Sequence, residues 1–425
     1  MNNQPNQICV TVVGVPEDGC LSLTSRAVNT VEKARVLAGN GRLLEWFPQF
    51  KGQVLTMEQG FSSWLNQVLE ESEEGGVVVL ASGDPLFFGI GSTLLKHLPA
   101  KALKFVPSPS SMQLACSRIG LPWHDARTIS LHGRSEHHQT IRGLSSQMQT
   151  GSLFCLLTDN HNHPARIAEH LLAYHNREWQ VWVAEHLGAP DETISHWSLE
   201  SLAKCERSFH SLNVMVLKRV ESATPPWGGL GQYASDDSFE KRMPKRGLIT
   251  KQSVRHLALC AMKIKPTDIV WDIGTGSGSV AIEAAKQCVA GQVLTLESNP
   301  DCYSSIEANL RAHSTDNVTL IKAKAPLGLE ALPAPNSVFV GGSRGQMDAI
   351  LDTAWQKLQE GGALVASAVT LDSVSEIFAW GKRSEAPMQV QLVSISNGVP
   401  LAHYTRYQAD NPIHLFVFEK CVEKA

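Results

Sequence analysis

The sequence has no C-x-x-C pair, no H-E-x-x-H segment and no apolar run near the roughly 18 residues that cross a membrane. Its nine cysteines, at 9, 20, 116, 155, 205, 260, 288, 302 and 421, are scattered and odd in number. That pattern argues against a disulfide framework or a zinc ribbon and predicts reduced thiols. A basic excess is missing too. The 37 Lys and Arg face 41 Asp and Glu, a formal net charge of -4. This disfavours a nucleic-acid binder and leaves room only for a local basic patch. The opening "MNNQPNQICVTVVGV" is polar and then strand-like, unlike a secretion signal, so a cytoplasmic protein is expected. The histidine-rich stretches "HDARTISLHGRSEHH" and "DNHNHP" lack metal-ligand spacing, and no metal is expected.

What is present is apolar material for more than one core: 43% hydrophobic and 18% charged residues over 425 positions. At about 100–200 residues per domain, that length predicts two to three domains. Short apolar runs such as "ICVTVVGV", "GVVVLASGDP", "SLFCLLTD", "QVWVAEHLG" and "LNVMVLKRV" alternate with helical patterns such as "SSWLNQVLEE" and "ARIAEHLLAYH". The alternation predicts an α/β domain with a largely parallel sheet. Residues 222–247, "SATPPWGGLGQYASDDSFEKRMPKRG", lose apolar periodicity and mark a boundary. Beyond it the alternation restarts. The expected organisation is a domain over 1–221, a linker over 222–246 and a second domain over 247–425.

In the second half, "DIGTGSGSVA" follows the apolar run "IVW". Glycines there let the backbone approach a ligand, and the following helix offers free N–H groups. A dinucleotide fingerprint is G-x-G-x-x-G. Gly274 and Gly276 fit it, but Ser279 holds the third place and Gly278 comes one residue early. Glu297 ends "VLTLE" about 20 residues on, where an acid would bind ribose hydroxyls. By themselves these residues admit a methyl-donor loop, another nucleotide site or a structural turn. The register resembles class I S-adenosylmethionine-dependent methyltransferases. Nitrogen methylases of that fold commonly carry N-P-P-Y after the fourth strand, where this chain has "SVFVGGSRG". Carbon or oxygen methylation is favoured.

The first half has no such loop. Its "VVGVPEDGC" and "ASGDPLFFGIG" resemble the class III fold of the tetrapyrrole methylases. Residues 106–134, "VPSPSSMQLACSRIGLPWHDARTISLHGR", with "LLTDNHNHPARIAEHL" and "VAEHLGAPDETI", strengthen the likeness to C5-methylating enzymes of cobalamin biosynthesis. From "RGLITKQSVRHLAL" to "FVGGSRG" the chain is similar to their C15-methylating, decarboxylating partners. The resemblance implies a two-lobed tetrapyrrole-methylase fold followed by a Rossmann-like class I fold. It implies S-adenosylmethionine at one site per domain and a precorrin substrate. It also implies removal of CO2 from the ring C acetate, self-association, and handover to neighbouring pathway enzymes. A cobalt-containing ring is the alternative substrate. An RNA methyltransferase and a non-enzymatic tetrapyrrole carrier are the competing readings.

For the first cofactor site the resemblance implies Gly83, Asp84, Pro85, Ser110, Ser111, Thr158 and Asn213. Asp84 also reads as a turn cap, since "GDP" favours a turn. The "GVPEDG" loop, with Pro16 and Glu17, is expected to serve substrate or geometry. For the second site it implies Thr250, Asp272, Gly274, Gly276, Gly278 and Glu297, with Ala325 beside Lys324 as a backbone contact to adenine. Gly341, Gly342 and Ser343 should face the substrate. Arg134 and Arg344 are expected to bind its carboxylates, because guanidinium forks match carboxylate geometry. The methyl donor is already a strong electrophile, so no nucleophile–base triad is expected and no catalytic residue is assigned.

Overall fold

The β-branched runs form nineteen strands in the computed structural model, which describes residues 9–131, 141–220, 227, 233–241 and 249–421. The chain divides into two compact units. The first holds Met1–Ser135, Ser152–Arg166 and Trp179–Arg219; the second holds Glu136–Gly151, Ile167–Glu178 and Val220–Ala425.

The first unit opens with β1 (Val10–Val15), β2 (Val36–Gly39), β3 (Gln53–Thr56), β4 (Val77–Ser82) and β5 (Leu103–Val106). They form an all-parallel sheet in the order β3-β2-β4-β1-β5. Both faces are covered, so the strands read as continuous apolar runs. Val10, Val12, Val77 and Val79 pack with Trp64 and Leu65 of the helix Phe61–Ser72. Val13, Val15, Val78 and Leu80 pack on the other face with Ala27 and Val31.

A second sheet uses β6 (Arg127–Ser130), β7 (Leu153–Leu157), β8 (Trp179–Glu185), β9 (Thr193–Ser198) and β10 (Asn213–Arg219). Its order is β6-β7-β10-β8-β9, and only β6–β7 is parallel. The expectation of a largely parallel sheet therefore holds for one lobe alone. Apolar runs such as "QVWVAE" and "NVMVLKR" predict burial but carry no information on strand direction.

The second unit contains β11 (Ile269–Ile273), β12 (Gln292–Glu297), β13 (Val318–Lys322), β14 (Ser337–Val340), β15 (Ala363–Ala368), β16 (Met388–Val393), β17 (Ser396–Leu401), β18 (Tyr404–Ala409) and β19 (Ile413–Glu419). Seven of them form one sheet, β13-β12-β11-β14-β15-β19-β16, while β17 and β18 make a separate hairpin. Strands β11 to β15 are parallel, and β19 runs antiparallel to both neighbours. Alternating residues build two cores. Trp271, Ile273, Val338 and Val340 pack with Ile350 and Ile377. Val270, Val293, Phe339 and Val365 pack with Ala258, Ile282 and Ile306. Strand order reverses between β11 and β14, and in open α/β sheets ligands bind at that crevice, beyond the carboxyl ends of the strands.

Candidate active sites

In the first unit, the carboxyl ends of the parallel strands open into a cleft of ≈ 560 Å³. Gly83 follows β4 with φ +60, and its N–H donates to the Val15 carbonyl at 2.9 Å. Gly14 lies across from it. A Cβ on Gly14 would stand 1.9 Å from the Gly83 carbonyl oxygen, so β1 and the turn after β4 meet only because residue 14 has no side chain. Ser108 completes the junction, donating its hydroxyl to the Gly14 carbonyl at 2.8 Å. Gly14 and Ser108 were not among the expected site residues. A glycine ending an otherwise β-branched run was the available signal.

Gly83, Asp84, Ser110, Ser111, Thr158 and Asn213 all line this one cleft. Asp84 accepts the Leu86 N–H at 2.8 Å, the turn-capping role its sequence context suggested. Ser110 caps the helix Ser111–Ile119 through a capping box with Gln113. Thr158 donates to Asn213 Oδ1 at 2.5 Å, and Asn213 donates to the His210 carbonyl. Both are buried. Pro85 departs from expectation and does not belong to the lining. It is buried, and its carbonyl accepts the Gly91 N–H at 3.0 Å. Arg134 lies outside the described residues.

At the same cleft, Pro16 and Glu17 join Arg42 and His186. Arg42 pairs with the Glu17 carboxylate and donates to Ser82 Oγ at 2.9 Å.

In the second unit, Gly274, Gly276 and Gly278 all have positive φ, at 77°, 62° and 82°. A Cβ on Gly274 would meet the Gly342 carbonyl oxygen at 2.6 Å. The turns after β11 and β14 thus touch backbone to backbone at the order reversal. Glu297, ending β12, accepts N–H groups from Gly276 at 3.0 Å, Ser298 at 2.8 Å and Asn299 at 2.7 Å. It is buried and fixes the glycine loop against the second strand.

Asp272 is fully buried. Desolvation raises its carboxyl to about 6, although bonds from Thr275 and Thr295 oppose the shift. Its second oxygen, Oδ1, has no hydrogen-bond partner. Gly341, Gly342 and Arg344 are exposed beyond β14, with Ser343 half-buried, and Arg344 has φ +49. Ala325 is buried beside an exposed Lys324.

Thr250 is held by its carbonyl, which accepts Arg255 Nη1 at 2.7 Å. Arg255, unforeseen from the sequence, is fully buried with Glu283 as its partner at 2.8 Å. It also reaches Asp236 at 3.1 Å and the Ala234 carbonyl at 2.7 Å. Asn309, also unforeseen, ties the Ser277 carbonyl to Glu240. Among the described residues no group of three His, Cys, Asp or Glu is placed to hold a metal ion, and no helix is long and apolar enough to cross a membrane.

Residues 9–203 match the family model for tetrapyrrole (corrin/porphyrin) methylases, and residues 241–420 match the precorrin methyltransferase domain. A precorrin-6Y C(5,15)-methyltransferase (decarboxylating) from Sinorhizobium sp is 32% identical over 370 residues, covering 85% of each chain. Two separate proteins of Salmonella typhimurium divide the chain between them. Its cobalt-precorrin-7 C(5)-methyltransferase is 30% identical over 49% of this chain and 98% of its own. Its cobalt-precorrin-6B C(15)-methyltransferase (decarboxylating) is 30% identical over 40% of this chain and 89% of its own. With both family models in order and a relative aligned over most of its length, this chain belongs to the precorrin-6Y C(5,15)-methyltransferase (decarboxylating) family, a tetrapyrrole-methylase fold followed by a Rossmann-like class I methyltransferase fold.

Proposed function

We propose that the chain methylates C5 and C15 of precorrin-6Y and removes CO2 from the ring C acetate, giving precorrin-8X in cobalamin synthesis. The observation that carries this is the pairing in one chain of a glycine-lined cleft in the first unit with a glycine turn at the strand-order reversal of the second, each at the carboxyl ends of parallel strands. Each unit would hold its own S-adenosylmethionine, which supplies an electrophilic methyl group. The 1–221 portion would act at C5. The 247–425 portion would act at C15 and in decarboxylation.

Both sites fit such a ligand. In the first, Gly83 leaves a cradle, and Ser110, Ser111, Thr158 and Asn213 supply polar groups. In the second, the glycine loop presents N–H groups at the start of the helix Ser279–Gln287. Asp272 and Glu297 are the acids beside it; Thr250 would contact the cofactor, and the Ala325 backbone would meet its adenine. Gly341, Gly342 and Ser343 leave open backbone where a flat macrocycle would approach. Arg344 would meet its carboxylates, and Arg134 is proposed for the same task in the first half. The residues mainly orient reactants and exclude water, because proximity and desolvation lower the barrier for transfer to an electron-rich bridging carbon.

A homo-oligomer, product handover and a cytoplasmic setting complete the proposal; nine free thiols support the last. Incubating the protein with the reduced precorrin and S-adenosylmethionine, then weighing the product, tests it. Two methyl groups gained and one CO2 lost are expected; a product with neither change sinks the reading. A substrate accepted only with cobalt in the ring would assign the alternative instead.

A further inference from the structure

Methyl transfer to a bridging =CH– carbon leaves a proton to be disposed of. The new C–C bond forms as the C–S bond breaks, and the macrocycle carries the positive charge. Conjugation returns only when the C5–H pair of electrons falls back into the ring and the proton leaves. A base facing the cleft is therefore required after transfer, not before it.

Among the described residues, three titratable groups line the cleft of the first unit besides Arg42: Glu17, Asp84 and His186. Glu17 is committed to Arg42, and Asp84 caps its own turn. His186 differs. Asp191 Oδ1 lies 2.6 Å from its Nδ1, while Nε2 stands 3.8 Å from Glu17 Oε1, beyond hydrogen-bond reach. The Asp191 contact is out of line for a hydrogen bond, but the carboxylate's charge beside Nδ1 favours the proton there and leaves Nε2 with its lone pair. The ring is held flat against His210, with centroids 4.2 Å apart and planes at 15°. The backbone is held as well. His186 has φ +48, its N–H donates to the Leu212 carbonyl at 2.9 Å, and its own carbonyl accepts from Ala189. A sparsely populated backbone conformation kept in place by two bonds fits a side chain whose aim matters.

We infer that His186 Nε2 accepts the C5 proton after methyl transfer, with Asp191 as its positioning residue. Glu17 stabilises the imidazolium that forms. This rests on the proposed C5 reaction of the first unit. The charged and titratable groups around the ring are Glu17 with Arg42 from the loops after β1 and β2, and Asp191 and Glu192 from the loop after β8. From the segment before β10 come His210 and Arg207, the latter paired to Glu185 at 2.7 Å.

The test uses the full chain with His186→Gln and Asp191→Asn, following C5 and C15 methylation separately by product mass and position. His186→Gln should slow C5 methylation at least about a hundredfold, the usual lower bound for losing a general base. It should leave C15 methylation and CO2 loss unchanged. Asp191→Asn should give a smaller loss of C5 methylation and a smaller slowing of C5 hydrogen exchange. A second arm omits the methyl donor and follows deuterium uptake at C5 in D2O, which His186→Gln should slow at least tenfold. A His186→Gln protein that methylates C5 or exchanges C5 hydrogen at the wild-type rate overturns the assignment. Wild-type protein that methylates C15 and never C5 would instead sink the proposed C5 reaction.

Discussion

Asp272 shows how one residue can be costly to fold and still be kept. Burial raises its carboxyl from the ordinary 3.8 to about 6, with Thr275 and Thr295 pulling the other way. A carboxyl raised in the folded state binds its proton more tightly there than in the unfolded chain. Its stabilising contribution is thus full below pH 4 and lost as pH rises through about 6. At ~1.4 kcal/mol per pH unit, the ionised form costs about 3 kcal/mol at pH 7. Asp272→Asn is therefore expected to raise the melting temperature at pH 7. The advantage should vanish near pH 4, and methyl-donor affinity at the second site should fall. Paired thermal melts at the two pH values, with a binding titration, check this. Glycine requirements were legible at this scale where several share a loop, as at 274, 276 and 278. Gly14 was not, because its reason is the carbonyl of Gly83, which is sixty-nine residues away in sequence.

Among the elements, the parallel strands were the most legible, since strands buried on both faces leave long apolar runs. Strands β2, β3 and β6 are four residues each and too short to stand out. The hairpin β17–β18 is almost entirely exposed and has no buried face to reveal it. The helix Gln252–Met262 is fixed to its neighbour Ser279–Gln287 by a pair with no exposed side-chain surface, Arg255 and Glu283. Arg255 also holds the carbonyls of Ala234 and Thr250. Truncating one partner strands a buried charge, at about 3–5 kcal/mol. Arg255→Ala should cost that much in urea unfolding followed through the second unit, and should loosen the segment that carries Thr250. An unchanged unfolding midpoint would show that the pair contributes nothing.

At the scale of the whole molecule, the proposal of one methyl-donor site per unit can be tested by stoichiometry. Calorimetric titration with S-adenosylmethionine should find two sites per wild-type chain. Gly14→Val should remove the first by driving a side chain into the Gly83 carbonyl, and Gly274→Val the second by collision with Gly342. Each variant should keep one site, and the double variant none. A single wild-type site that only Gly274→Val abolishes would confine methyl donation to the second unit.

Composition and apolar periodicity determined the α/β class, and the glycine spacing after β11 marked a turn that needs positive φ. Each of these is a local property, set by which side chains must be buried and which backbone angles a turn needs. Strand direction in the second lobe, the contacts of Gly14 with Gly83 and Gly274 with Gly342, the burial of Arg255 and the aim of His186 were decided by tertiary structure. They depend on residues distant in sequence sharing one place, and neither hydrophobic period nor motif spacing records a long-range approach.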